Sequence, residues 1–206
     1  SVNTMKSIEI VNITSSDAND IKLDTTTAGK VADNFKAVTD LYLTASDTVT
    51  GASIDVKVDG KTNVTATTKK AGKAIDVTGG KVVNATAATG LVTIKGDALT
   101  TVTVKGGASA STVENTVDGA GVAGETLKSV SLEGIATGTA TVKGNAIDTL
   151  TLKNQTVALA TTITNDKSTA LTVNLNNVNT VTSTVTAGSK AETVTINSNG
   201  TKDNTL

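Results

Sequence analysis

Residues 90–107, GLVTIKGDALTTVTVKGG, return at 138–155 as GTATVKGNAIDTLTLKNQ. Gly90/Gly138, Thr93/Thr141, Lys95/Lys143, Gly96/Gly144, Ala98/Ala146, Thr101/Thr149, Thr103/Thr151 and Lys105/Lys153 coincide. Other positions exchange like for like: Ile94/Val142, Asp97/Asn145, Leu99/Ile147, Val102/Leu150 and Val104/Leu152. A unit this short cannot bury its own apolar side, so its copies must stack on one another. That requirement limits the chain to repeat architectures before any other property is considered.

Within the unit, Val102 and Val104 alternate with Thr101, Thr103 and Lys105. Successive side chains of a strand point to opposite faces, so one face is apolar and the other carries Thr and Lys. Val, Ile and Thr accept extended backbone readily because their branched Cβ already restricts χ1. The Gly-Asp and Gly-Asn pairs between the two strands of a unit supply residues that tolerate a sharp corner.

A longer register runs through the second strand of each unit. An apolar residue stands three positions before an alternating pair, and a small or turn-forming residue stands two positions after it. The series is Leu99, Val102, Val104, Gly106; Leu127, Val130, Leu132, Gly134; Ile147, Leu150, Leu152, Asn154; Ala170, Val173, Leu175, Asn177; and Ala191, Val194, Ile196, Ser198. Upstream, Met5, Ile8, Ile10, Asn12 and Val38, Leu41, Leu43, Ala45 follow the same template, and Val64/Ala66 and Val83/Ala85 follow it more loosely. Ile8, Leu41, Val102, Val130, Leu150, Val173 and Val194 are therefore expected to form one buried column. Partner strands are expected around Ile54, Ile75, Val92, Val142, Ile163 and Val185. The period is roughly 20 residues with two strands per coil, the signature of a solenoid.

The expected fold is all-β, a right-handed parallel β-solenoid of roughly eight or nine coils, about 40 Å long at ~4.8 Å per coil. Tandem immunoglobulin-like sandwiches are the alternative, since they too space strands 8–12 residues apart. Composition favours the solenoid. Apolar residues make up 37% of the chain, with one Tyr, one Phe and no Trp. A globular core normally uses aromatics to fill its interior, whereas a narrow coil that touches only its neighbours does not need them. Zero Pro suits a chain that is nearly all ladder-bonded strand. Thr reaches about a fifth of the residues, far above ordinary usage.

Three regions are expected. Residues 1–45 read as irregular N-terminal coil with a short helical turn near 30–37, where Val31, Phe35 and Val38 have helical spacing. Residues 46–200 read as the solenoid, interrupted by an insertion loop at 108–126 with a poorly formed strand at Val113 and Val117. Residues 201–206 read as a polar tail. The chain opens on Ser1, not Met, as expected of a mature or excised piece.

Chemistry is sparse. There are no His and no Cys, which removes the commonest general base, the thiol nucleophile and disulfides. Asp59, Asp97 and Asp118 sit in turns, where Asp is at home for structural reasons. No enzyme activity is expected. The net charge of −1 from 18 basic and 19 acidic residues gives no field for nucleic acid or an anionic membrane. The run KKAGK at 69–73 reads as a solvated turn. The Asn-x-Thr triplets at Asn12, Asn63, Asn84, Asn154 and Asn199 follow from a chain rich in both residues. No apolar run approaches the ~18–20 residues of a membrane span. Asp17, Asp20 and Asp24, and Asp118 with Glu125, are the weak calcium candidates, because Ca²⁺ takes six to eight oxygens. Thr101/Thr103, Thr149/Thr151 and Thr193/Thr195 would project as a Thr-x-Thr array, the kind ice-binding solenoids present, although Ser129/Ser131 and Thr172/Asn174 interrupt it.

The phrases TMKSIEIVNITSS (4–16), ETLKSVSLEGIATGTATVKGNAIDTLTLKN (125–154) and AETVTINSNG (191–200) share a cadence of alternating strand, small-residue corner and short strand. In this they resemble bacterial S-layer proteins of the type I-secreted, RTX-related kind, and the surface adhesins of that group. The resemblance implies an extracellular structural subunit that tiles with copies of itself into a lattice on the bacterial cell surface. It also implies anchoring to lipopolysaccharide through a region outside this chain, and Ca²⁺ as a possible organiser. The chain lacks the calcium nonapeptides of that family. The stalk or binding region of an adhesin, with 108–126 as the contact loop, is the second functional expectation. Ice binding is the third.

Overall fold

The computed structural model describes residues 8–28, 30–108, 110–117, 122–136, 138–155, 157–164, 167–178 and 184–200. The alternation read from the sequence becomes two long parallel sheets wound from one chain. The first sheet is formed by β1 (Ile10–Ser15), β3 (Asp40–Ala45), β5 (Asn63–Thr68), β7 (Val82–Ala87), β9 (Thr101–Gly106), β12 (Ser129–Glu133), β14 (Thr149–Lys153), β16 (Ala170–Asn176) and β18 (Thr193–Asn199), in that order. The second is formed by β2 (Ile21–Asp24), β4 (Ile54–Lys57), β6 (Ile75–Thr78), β8 (Val92–Gly96), β10 (Thr112–Val117), β13 (Gly138–Lys143), β15 (Leu159–Thr164) and β17 (Thr184–Thr186). Each coil contributes one strand to each sheet, which makes the fold a parallel β-solenoid and excludes stacked antiparallel sandwiches.

One apolar column runs through the first sheet as Leu41, Val64, Val83, Val102, Val130, Leu150 and Val173, each opposite the next across the ladder. These seven are essentially solvent-free. The column departs from expectation at both ends. Leu41 pairs with Val11, not Ile8, which lies outside β1. Val173 pairs with Ile196, and Val194 pairs with Leu171. The corner residues explain the second shift. Gly106, Gly134, Asn154, Asn177 and Gly200 all have positive φ, between 50° and 108°, so the corner that follows β18 is made at Gly200 and not at Ser198. Gly and Asn tolerate that left-handed backbone best, and the corner carries the strand's register with it.

The two sheets trade bulk across the core. Where the first sheet supplies Val64 and Val83 with the small Ala66 and Ala85, the second supplies Ile54, Val56, Ile75 and Val77. Where the second supplies Ala140 and Val142, the first supplies Leu150 and Leu152. Interiors pack to constant density, so a small residue in one layer requires a large one opposite. One core cluster therefore runs the length of the rod without aromatics at its centre.

Insertions fall at corners, where they leave the ladders intact. Residues 8–45, expected to be irregular, hold regular rungs, with the six-residue helix α1 (Lys30–Phe35) inserted between β2 and β3. The segment 108–126, expected to be an insertion loop, contains the full rung β10, which pairs with β8 and β13. Only the stretch after it is inserted. It folds back as β11 (Val122–Ala123), antiparallel to β10. Asn115, fully buried, ties this hairpin to the rod. Its amide donates to the carbonyls of Gly96 and Asp97, and its carbonyl oxygen accepts from the Thr126 and Leu127 N–H groups. The expected tail at 201–206 lies outside the described residues.

Leu150→Ala is expected to cost about 3 kcal/mol, and Val194→Ala, half exposed on the end coil, under about 1 kcal/mol, both read from urea denaturation. Thr161 is buried in the second sheet, and its hydroxyl has no hydrogen-bond partner among the described residues. Thr161→Val should raise stability by about 1 kcal/mol; a loss in the same assay would show that the hydroxyl is satisfied.

Candidate assembly surfaces

In-register stacking that aligns the core also aligns everything facing water. On the outer face of the first sheet, Thr101, Ser129, Thr149, Thr172 and Thr195 form one column, and Thr103, Ser131, Thr151, Asn174 and Asn197 form the next. Thr193, expected in the Thr array, stands opposite Ala170 instead. Asn replaces Thr on the last two coils, where the Asn197 amide donates to Asn174 Oδ1 at 2.9 Å. The Thr-x-Thr surface is thus interrupted at several coils, and its end is an amide ladder.

A third column carries charge. Lys105, Glu133 and Lys153 lie on consecutive rungs, and Glu133 meets Lys153 at 3.6 Å and Lys105 at 3.8 Å. Asn154 Nδ2 adds a hydrogen bond to Glu133 Oε1 at 2.8 Å, and Asn177 Nδ2 donates in turn to Asn154 Oδ1 at 3.3 Å. Partial burial pushes the Glu133 carboxyl up, but the Asn154 hydrogen bond and the two lysines outweigh it and hold it below the usual range. The second sheet repeats the device with Lys95 and Glu114 at 3.1 Å and with Lys57 and Asp24 at 3.9 Å. One pair breaks the pattern. Asp55 stands directly opposite Asp76; burial first, and then the Asp55 charge, raise the Asp76 carboxyl, with Lys95 opposing.

The calcium candidates are spent on corners. Asp17 accepts from the Asn19 backbone N–H, the Asn19 amide and the Ser15 hydroxyl, which hold its carboxyl low. Asp20 accepts from the Ser53 N–H of the next coil at 2.8 Å. Asp24 accepts from the Thr27 and Thr26 hydroxyls and both their N–H groups, and is held low by them. Glu125 pairs with Lys167. Asp118 lies outside the described residues. Among the described residues no three His, Cys, Asp or Glu side chains are grouped to hold a metal. The same capping role belongs to Asp47, which accepts from the Val49, Thr50 and Gly51 N–H groups. An Asp followed by small polar residues between two alternating runs is the sequence sign of such a corner.

The ends of the rod differ from its sides. β1 and β18 are the outermost strands of the first sheet. The inward Val11 and Ile13 of β1 are only partly buried, and Val194 and Ile196 of β18 are 48% and 53% exposed. Leu23 of the first coil and Val185 and Ala187 of the last are likewise only partly buried. Beside β1 opens a hollow of about 420 Å³ lined in part by Ile13, Ile21 and Leu23. Sequence reading placed Val194 in the buried column, whereas it is 48% exposed, and it missed the Glu133 ladder and the Asp55–Asp76 pair, because each is defined by what lies on the neighbouring coil. No helix among the described residues is long and apolar enough to cross a membrane.

Two carboxylates should respond oppositely to pH. Glu133, with its lowered folded value, contributes stability that is fully present above 4.5, its ordinary value, and lost as pH falls through the folded value. Glu133→Gln should therefore cost about 1 kcal/mol at neutral pH and progressively less in acid. Asp76, with its raised value, carries a penalty that is present above its folded value and gone below 3.8. Asp76→Asn should gain about 0.5 kcal/mol at neutral pH and nothing in strong acid. Denaturation midpoints across pH 3–8 check both. Set against protein-family models, curated proteins and solved structures, the chain matches none of them.

Proposed function

We propose that this chain is a structural segment of a bacterial surface layer, acting by association with copies of itself on the cell exterior. The observation that carries this reading is the rod itself. Its sides are ordered columns of hydroxyl, amide and paired charges. A repeat rod offers the same contact geometry at each coil, which favours periodic association over a single bound ligand. The sequence cadence at 4–16, 125–154 and 191–200 supports the same class through its resemblance to type I-secreted surface-layer proteins. Attachment to lipopolysaccharide belongs to this proposal as the work of a region beyond this chain.

The β10–β11 hairpin supports a second reading, the stalk or binding region of an adhesin. It is the one described pairing that leaves the solenoid path, and such projections are where repeat proteins place contact loops. Electron microscopy of cells bearing the parent protein separates the two. A two-dimensional lattice is expected, lost when this segment is deleted. Isolated fibrils with no lattice would overturn the surface-layer reading in favour of the adhesin.

A further inference from the structure

We infer that the outer face of the first sheet is an interface with a second copy of this chain, the two rods lying side by side and face to face. This rests on the self-association proposed above and names the surface that performs it. The central outward column of that sheet runs Thr65, Asn84, Thr103, Ser131, Thr151 and Asn174, one residue per coil, and holds no charge. The column beside it, from Val82 through Thr101, Ser129 and Thr149 to Thr172, holds none either. On these coils charge is confined to the other margin, where Lys105, Glu133 and Lys153 neutralise one another. The central outward column of the second sheet instead sets Lys22, Asp55 and Asp76 side by side. Interface centres are depleted of charge and leave it to the rim, and the first sheet has this layout.

The face also suits a protein partner in size and stiffness. Thr, Ser and Asn have short side chains, so little rotamer freedom is lost when a partner covers them. Tyr42, the chain's one tyrosine, extends the central column opposite Thr65 and is 42% exposed. A rigid ring with a polar tip is a frequent anchor of protein contacts. From β3 to β16, leaving out the outermost strands, the face measures about 33 Å along the rod and about 17 Å along the strands. That is roughly 600 Å² on each copy and about 1,200 Å² in total, the size at which specific interfaces begin.

The repeat selects the occupant. Hydroxyl and amide groups recur every ~4.8 Å along the rod, and a second copy presents the same groups at the same spacing. A contact between identical faces is isologous, related by a two-fold axis. With that axis along the rod, the central column of one copy faces the same column of the other, Thr103 opposite Thr103 and Tyr42 opposite Tyr42. The charged margin of one copy then faces the partner copy's column of hydroxyls two residues to the other side of the axis, so no like charges meet. Tyr42, Asn84 and Asn174 interrupt any regular hydroxyl lattice on this face, which counts against ice as the occupant.

Charge placed on the face tests it. Sedimentation of the unsubstituted chain is expected to show a reversible dimer. Thr103→Lys sets two like charges against each other across the contact and should weaken that dimer at least about 10-fold, as should Thr103→Glu. An equimolar mixture of these two variants should restore a mixed dimer at least about 10-fold tighter than either forms alone, a recovery that damage to the fold would not give. Tyr42→Ala should weaken the dimer about 10-fold. Thr162→Lys, exposed on the outer face of the second sheet, should leave it unchanged. Circular dichroism should be the same for every variant, because each substituted side chain points away from the core. A strictly monomeric chain, a dimer indifferent to Thr103→Lys, no recovery in the mixture, or equal loss with Thr162→Lys would each overturn the interface, and so would a monomer that shapes ice. A lattice on cells formed as well by the Thr103→Lys chain would remove this face and leave the surface-layer reading in place; the dimer without any lattice would do the reverse.

Discussion

Every property of this rod follows from parallel strands stacked in register, residue over residue, from coil to coil. Backbone hydrogen bonds set that stacking, and side chains then inherit it. Val102 lies over Val130 because their strands are bonded at that position, and Thr103 over Ser131 for the same reason. A ladder of this kind amplifies each choice of residue. Like apolar groups gain contact with their copies above and below, and opposite charges such as Lys105, Glu133 and Lys153 neutralise one another along the axis. Like charges such as Asp55 and Asp76 are forced together. The core needs no large aromatic because no point in it is far from a strand.

The corners carry the departures from regularity. Asp17, Asp24 and Asp47 fold their carboxylates onto nearby N–H groups, and Asn154 and Asn177 adopt left-handed backbone while passing hydrogen bonds from coil to coil. Because ladders run through the sheets and not the corners, a helix after β2 and a hairpin after β10 are accommodated without loss of a rung. Asn115 shows how such an insertion is held: a buried amide whose donors and acceptor are satisfied by the corner it anchors.

The terminal rungs among the described residues differ from those between them. A solenoid buries each coil against the next, so its first and last coils are half finished by construction. In this chain the unfinished surfaces are apolar on the inward side, and the strands that bear them have nearly the same residue pattern.

Strand alternation, the period and the two-strand coil were legible in the sequence by itself, because side-chain direction in a strand is local and each unit repeats its neighbour. The column from Leu41 to Val173 followed from that. Register at the ends was not legible. Ile8 and Ile10 alternate in one phase and Val11 and Ile13 in the other, so alternation could not tell which pair turned inward; the ladder to β3 chose Val11 and Ile13. At β18 a slip of two residues leaves the same face buried, and only the left-handed corner at Gly200 chose Ile196 over Val194 as the partner of Val173. The charge ladders and the exchange of bulk between sheets depend on which residue lies one coil away. That relation exists only once corners of unequal length have been closed, so tertiary structure alone decided it.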